Sequence, residues 1–189
     1  MKTSSSPVTS IYTLRVELEG VAPLIWRRLH VPTGIPLTKL HNVLQVAMGW
    51  TDSHLHRFSI GTQEYGVQDE LEESDIIDER GHRLDLLLDE SIRKFGYLYD
   101  FGDGWEHRLV VESRSLAKPA WPYPLCVAGE RACPPEDVGG HPGYEEFLMA
   151  LRDAKHEDHD RLLLWAGGSF DPEGFDINAV NRELRRQRL

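Results

Sequence analysis

The sequence predicts an α+β fold: a mostly antiparallel sheet of about five strands, a packed helix and a C-terminal helical segment. Three observations carry that prediction. Apolar and polar residues alternate with period two over residues 11–19, and again on both sides of a tight turn at 101–105. One early stretch, 36–48, switches to the helical period. Beyond residue 142 the helical period returns in three stretches, the last two separated by a break at "WAGGSFDPEGFD".

In residues 11–19, "IYTLRVELE", Tyr12, Leu14, Val16 and Leu18 share one face, which marks a half-buried strand. "GVAP" turns the chain into a second strand, 24–31, antiparallel to the first. "PTGIP" breaks it, and Pro36 opens a helix in which Leu37, Leu40, Val43, Leu44, Ala47 and Met48 recur at helical spacing before the stop at Gly49. Residues 54–61 form a third strand. An acidic stretch, 63–83, reads as a partly irregular surface insertion, and 84–88 as a short strand or turn.

"YLYDFGDGWEHRLVVE" supplies the hairpin, strands 94–101 and 105–113, with Gly102 and Gly104 free to take positive φ. On its second strand Trp105, His107, Leu109 and Val111 share a face, so His107 leans toward the core. Residues 118–144 are dense in proline and glycine and read as a long ordered loop over the sheet. Helices follow at 142–154, 158–166 and 176–186.

Residues 1–10 read as a disordered lead-in, and 11–189 as one domain. No apolar run could span a bilayer, and the N-terminus has no apolar signal region, so the expected compartment is cytoplasmic. Cys126 and Cys133 form no CxxC and are expected to be reduced thiols. The net charge is −10, concentrated in residues 51–112, which hold six basic and sixteen acidic residues. Such a middle repels phosphate backbones, so nucleic acid is not the expected partner and a protein or small molecule is.

Candidate site residues fall in three places. In the hairpin, Asp100, Asp103 and His107 combine carboxylate with imidazole, which suits a divalent metal or acid–base work; the plainer reading makes Asp103 a turn residue and His107 a core histidine bonded to Asp100. His54 and His56 would sit on one face of a strand, and with His107 on a neighbouring strand they would complete a three-histidine metal site. In "CVAGERACPPEDVGG", two prolines stiffen and two glycines turn a loop that presents Glu136 and Asp137; it reads equally as a lid over the core. "WAGGSFDPEGFD" adds Trp165 and Asp171, the latter in turn context. No GxSxG, GxGxxG, Walker sequence, HExxH or paired CxxC is present.

The hairpin, the proline–glycine loop, "WAGGSFDPEGFDINAVNREL" and the opening block "YTLRVELEGVAPLIWRRLHVPTGIPLTKLHNVLQVAMGW" together resemble the plasmid pRiA4b ORF-3-like family over almost the whole chain. That resemblance implies an α+β fold uniting hairpin and loop, an association with plasmids and mobile elements, and signature positions at Asp100, Asp103, Trp105, His107, Glu136 and Asp137. It brings no established reaction. The resolvase-like label some members carry finds neither a recombinase motif nor a basic DNA-binding segment here.

Three functions stay open at this point. The first is an accessory binding module with an acidic, aromatic cleft of Trp105, Tyr144, Trp165, Asp100, Asp103, Glu136 and Asp137. The second is a metal-dependent hydrolase or phosphoesterase using Asp100, His107, Glu136 and Asp137, which requires those groups to converge. The third, a DNA-associated protein of mobile elements, is opposed by the charge balance.

Overall fold

The computed structural model describes residues 9–67, 75–89, 91–119 and 121–187. Among them an eight-stranded sheet runs in the order β5-β4-β3-β6-β7-β1-β2-β8. The strands are β1 (Ser10–Leu18), β2 (Trp26–Pro32), β3 (His56–Ile60), β4 (Gln63–Gly66), β5 (Ile77–Asp78), β6 (Lys94–Tyr99), β7 (Trp105–Leu116) and β8 (Leu125–Glu130). All neighbours are antiparallel except β4 and β5. The class is therefore α+β as expected, with eight strands where the sequence suggested about five.

The additional strands were hidden for physical reasons. β5 has two residues, too few to show a period. β4 lies inside the acidic stretch read as an insertion, and only Tyr65 and Gly66 of it are buried; residues 68–74 of that stretch lie outside the described residues. β8 emerges from the proline–glycine segment read as loop, because it is an edge strand sealed from outside. The Asn181 side chain accepts from Cys126 N and donates to Cys126 O, both at 2.8 Å, and so occupies backbone groups of the edge.

Among the described residues five helices accompany the sheet: α1 (Leu37–Met48), α2 (Leu84–Leu87), α3 (Gly140–Arg152), α4 (His159–Trp165) and α5 (Ile177–Arg186). α2 is one helical turn, not the strand or turn suggested for 84–88. Pro36 precedes α1 as its cap, and Gly49 ends it at φ 95°. The apolar face of α1 packs with Leu14, Val16, Leu29, Phe58, Tyr97 and Leu109 of the sheet in one core. The opposite sheet face is charged and paired, with Arg28 on Glu112 at 2.6 Å and Arg108 on Glu17 at 2.6 Å. At the start of α5, Asp176 Oδ1 accepts from Asn178 N and Ala179 N.

Arg27 ties these layers together. It is 2% exposed and faces no carboxylate among the described residues; instead it donates to the carbonyls of Ala47, Trp26, Glu130 and Arg131, each at 2.8 Å. Its guanidinium also lies 4.0 Å from the Phe175 ring centroid. One cation thus joins the end of α1, β2, the end of β8 and the approach to α5. Both thiols, Cys126 and Cys133, are free and buried, as the sequence led us to expect, and burial pushes each up to about 11.

Candidate metal centre

Three segments meet at one end of β6: residues 50–54 after α1, the hairpin turn at 100–104, and residues 134–140 ahead of α3. The first is fixed from several sides. Gln45 Oε1 accepts from Asp52 N at 2.9 Å, Tyr99 Oη accepts from Ser53 N at 3.0 Å, and Glu136 accepts from Thr51 N at 2.8 Å. Tyr99 Oη then donates to Glu136 Oε1 at 3.0 Å. Burial first, and the Glu136 carboxylate next, hold the Tyr99 phenol well above its ordinary range, so it remains a donor.

The turn is shaped by Asp100. It takes a left-handed backbone, φ 56°, and its Oδ1 accepts from Gly102 N at 2.9 Å and Asp103 N at 3.2 Å. A Cβ on Gly102 would stand 3.2 Å from that Oδ1, so glycine serves this close approach; positive φ belongs to Gly104, at 69°. With Oδ1 engaged, Oδ2 is left to face His54 at 3.6 Å. Asp103 points instead at the third segment, where its Oδ2 accepts from Gly139 N at 3.1 Å and so anchors the entry to α3 against the turn. That third segment is also held by Trp50 Nε1, which donates to Pro134 O at 3.0 Å, and it carries Asp137 at φ 57°.

His54 is the meeting point. Its Nε2 lies 3.1 Å from Asp137 Oδ1, 3.6 Å from Asp100 Oδ2 and 3.9 Å from Glu136 Oε2. That nitrogen is buried, yet among the described residues none of these oxygens is aligned to hydrogen-bond with it. Two ligand atoms each about 2.1 Å from one ion lie about 3.0–3.4 Å apart at tetrahedral or octahedral angles. His54 Nε2 stands near that spacing from Asp137 and Asp100, all three ligand atoms lie within 4.8 Å of one another, and one imidazole with carboxylates suits ions such as Mn²⁺ and Zn²⁺. Glu136, already bonded to Thr51 and Tyr99, is placed to position the others.

The three-histidine site does not form. β3 begins at His56, so His54 lies ahead of the strand and the two side chains part. His56 sits in the core with Nε2 3.0 Å from Glu79 Oε2. β6 separates β3 from β7, which puts His107 two strands away. There His107 Nδ1 donates to Tyr97 O at 3.2 Å and the ring meets Trp50 edge-on at 5.2 Å; it is not bonded to Asp100. Burial depresses it to about 4.

Other expected residues separate as well. Trp105 is 1% exposed and Tyr144 2%, so neither ring is open to a partner. Asp171 is a turn residue, its Oδ1 accepting from Glu173 N at 3.0 Å. Trp165 is half exposed, edge-on to Phe147 at 5.9 Å.

A second group, His41, Asp52 and His56, was missed in the sequence because His41 lies on the buried face of α1. His41 Nε2 is 2.7 Å from Asp52 Oδ1 and its Nδ1 is 2.8 Å from Tyr97 Oη. Gln45 Nε2 donates to that hydroxyl at 3.0 Å, so the hydroxyl's own proton goes to His41 Nδ1. The His41 and His56 rings stack at 3.5 Å, 8° from parallel. Parallel rings aim their lone pairs side by side rather than at one point, so this group is an internal network.

A family model described as plasmid pRiA4b ORF-3-like protein matches residues 10–179. The chain is 42% identical over 181 residues to the uncharacterized protein y4hQ of Sinorhizobium fredii (strain NBRC 101917 / NGR234), covering 94% of this chain and 92% of that protein. It is also similar to the crystal structure of a protein of unknown function, MM3350, from Methanosarcina mazei Go1. There the TM-score is 0.83 and the identity 35%, over 90% of this chain and 97% of the other. Among the described residues, no helix is long and apolar enough to cross a membrane.

Proposed function

The chain belongs to the plasmid pRiA4b ORF-3-like family, and from that premise we propose that it holds one divalent cation on His54, Asp100 and Asp137 and acts as a metal-dependent hydrolase of an ester. The observation that carries this reading is the buried, unbonded His54 Nε2 facing carboxylate oxygens from two other segments. It keeps the sequence's hydrolase alternative and its Asp100, Glu136 and Asp137, and replaces His107 by His54. The aromatic-cleft reading is weaker, since Trp105 and Tyr144 are buried.

Each residue has a part that its surroundings set. Asp100 is buried and pre-oriented by the turn amides, so one of its oxygens is reserved for the ion. Asp137 is exposed, which leaves the outer side of the site open to solvent and substrate. Glu136 locks the 50–54 segment and accepts from the buried Tyr99 hydroxyl beneath the site. A divalent cation there would supply Lewis acidity to a water molecule or an ester oxygen.

Equilibrium dialysis against Mn²⁺ tests the reading. Wild type is expected to hold about one ion per chain. His54→Ala should hold none, and His107→Ala, if folded, should match wild type. Asp100→Asn and Asp137→Asn keep residues that tolerate a left-handed backbone, so they remove a ligand without straining the chain. Equal metal in wild type and His54→Ala would end the proposal.

A further inference from the structure

Resting on that reading and extending it to the substrate, we infer that the cavity beside Asp137 receives the planar aromatic group of an aryl ester. The cavity measures about 290 Å³ and is lined by Asp137, Val138, Phe147, Arg161, Leu162 and Trp165, with Gly143 and Glu146 of α3. That is near the lower end of ligand pockets, enough for one ring system and not for an extended ligand.

The walls combine the rings of Phe147 and Trp165 and the apolar Val138 and Leu162 with the charged Asp137, Glu146 and Arg161. Phe147 is 1% exposed and braced by Phe170 at 5.1 Å, so it is a fixed surface. Trp165 meets Phe147 edge-on, 77° between planes, and remains 46% exposed. It ends α4, a helix with no buried residue, so packing does not account for a large ring held half open there. An aromatic group set against the indole would gain stacking and apolar contact. Positive charge contributes little within the cavity: Arg161 pairs with Asp158 at 2.6 Å, and the Glu146 carboxylate also acts on it.

Asp137 is the wall shared with the proposed cation site. Trp165 lines the same cavity as Asp137, so a ring set against the indole with a substituent reaching Asp137 would bring an anionic ester group to the cation. The substrate class is an anionic ester with a planar aromatic group on one side, and Trp165 sets the preference for the ring.

Phenyl phosphate and methyl phosphate are the probes, titrated calorimetrically into Mn²⁺-treated wild type, Trp165→Ala and Trp165→Phe, with bound Mn²⁺ measured on the same samples. Wild type is expected to favour phenyl phosphate by about tenfold. Trp165→Ala should lose that preference at unchanged metal content, and Trp165→Phe should keep most of it. Bound metal with equal affinity for both probes, or a preference that survives in Trp165→Ala, overturns the aromatic subsite alone. Wild type holding no Mn²⁺ overturns the cation site and this inference with it.

Discussion

Lowering the pH from about 7 to about 4.5 should cost the fold roughly 2–3 kcal/mol through His107 alone. The imidazole is 2% exposed, and burial, reinforced by the Arg27 charge, holds it at about 4 against an ordinary 6.5. The unfolded chain therefore binds a proton more readily than the folded one between those values. Stability is fully present above about 6.5 and drains away as the pH falls toward about 4. Near pH 4.5 about two pKa units have been crossed, each equivalent to about 1.4 kcal/mol. His107→Asn is the comparison, because its amide can still donate to the Tyr97 carbonyl and does not titrate. Urea unfolding of both proteins across the pH range gives the readout. The stability difference between them should narrow by roughly 2–3 kcal/mol on acidification. Parallel pH curves would refute the reasoning and return His107 to the functional candidates.

Other perturbations separate site from scaffold. Glu136→Ala removes the acceptor for Thr51 N and Tyr99 Oη and should weaken Mn²⁺ binding about tenfold or more, read by equilibrium dialysis. Arg27→Met strands buried carbonyls on β2, α1 and the end of β8; urea titration should show a loss of about 3–5 kcal/mol with no new ligand preference. Asp103→Ala removes the acceptor for Gly139 N at the start of α3 and should cost about 1 kcal/mol, seen as a lower Tm, with one Mn²⁺ still held.

The strands β1, β2, β3, β6 and β7 were legible because each alternates over five or more residues around buried side chains. α1, α3, α4 and α5 were legible from spacing, and Gly49 from its role as a stop. β5 was too short to read. β8 was masked by proline and glycine, and its seal by Asn181 is a contact fifty-five residues away in sequence. The site was half legible. The grouping of carboxylates with imidazole in the hairpin pointed to Asp100, though turn chemistry was read at Asp103 where Asp100 takes the turn amides, and the rigid Pro134-Pro135 approach pointed to Glu136 and Asp137. The proposed site differs in its imidazole, His54 in place of His107. Alternation placed His107 correctly against the core, yet pairing it with His54 and His56 needed β3 and β7 as neighbours, and β6 lies between them. Strand order is set by long-range pairing, which local periodicity does not encode.

The cation site is tested most directly by an anomalous difference map from crystals soaked in Mn²⁺. A peak is expected among His54 Nε2, Asp100 Oδ2 and Asp137 Oδ1, within direct ligation distance of all three. A map without that peak, or with the ion at His41 and His56 instead, would contradict the assignment.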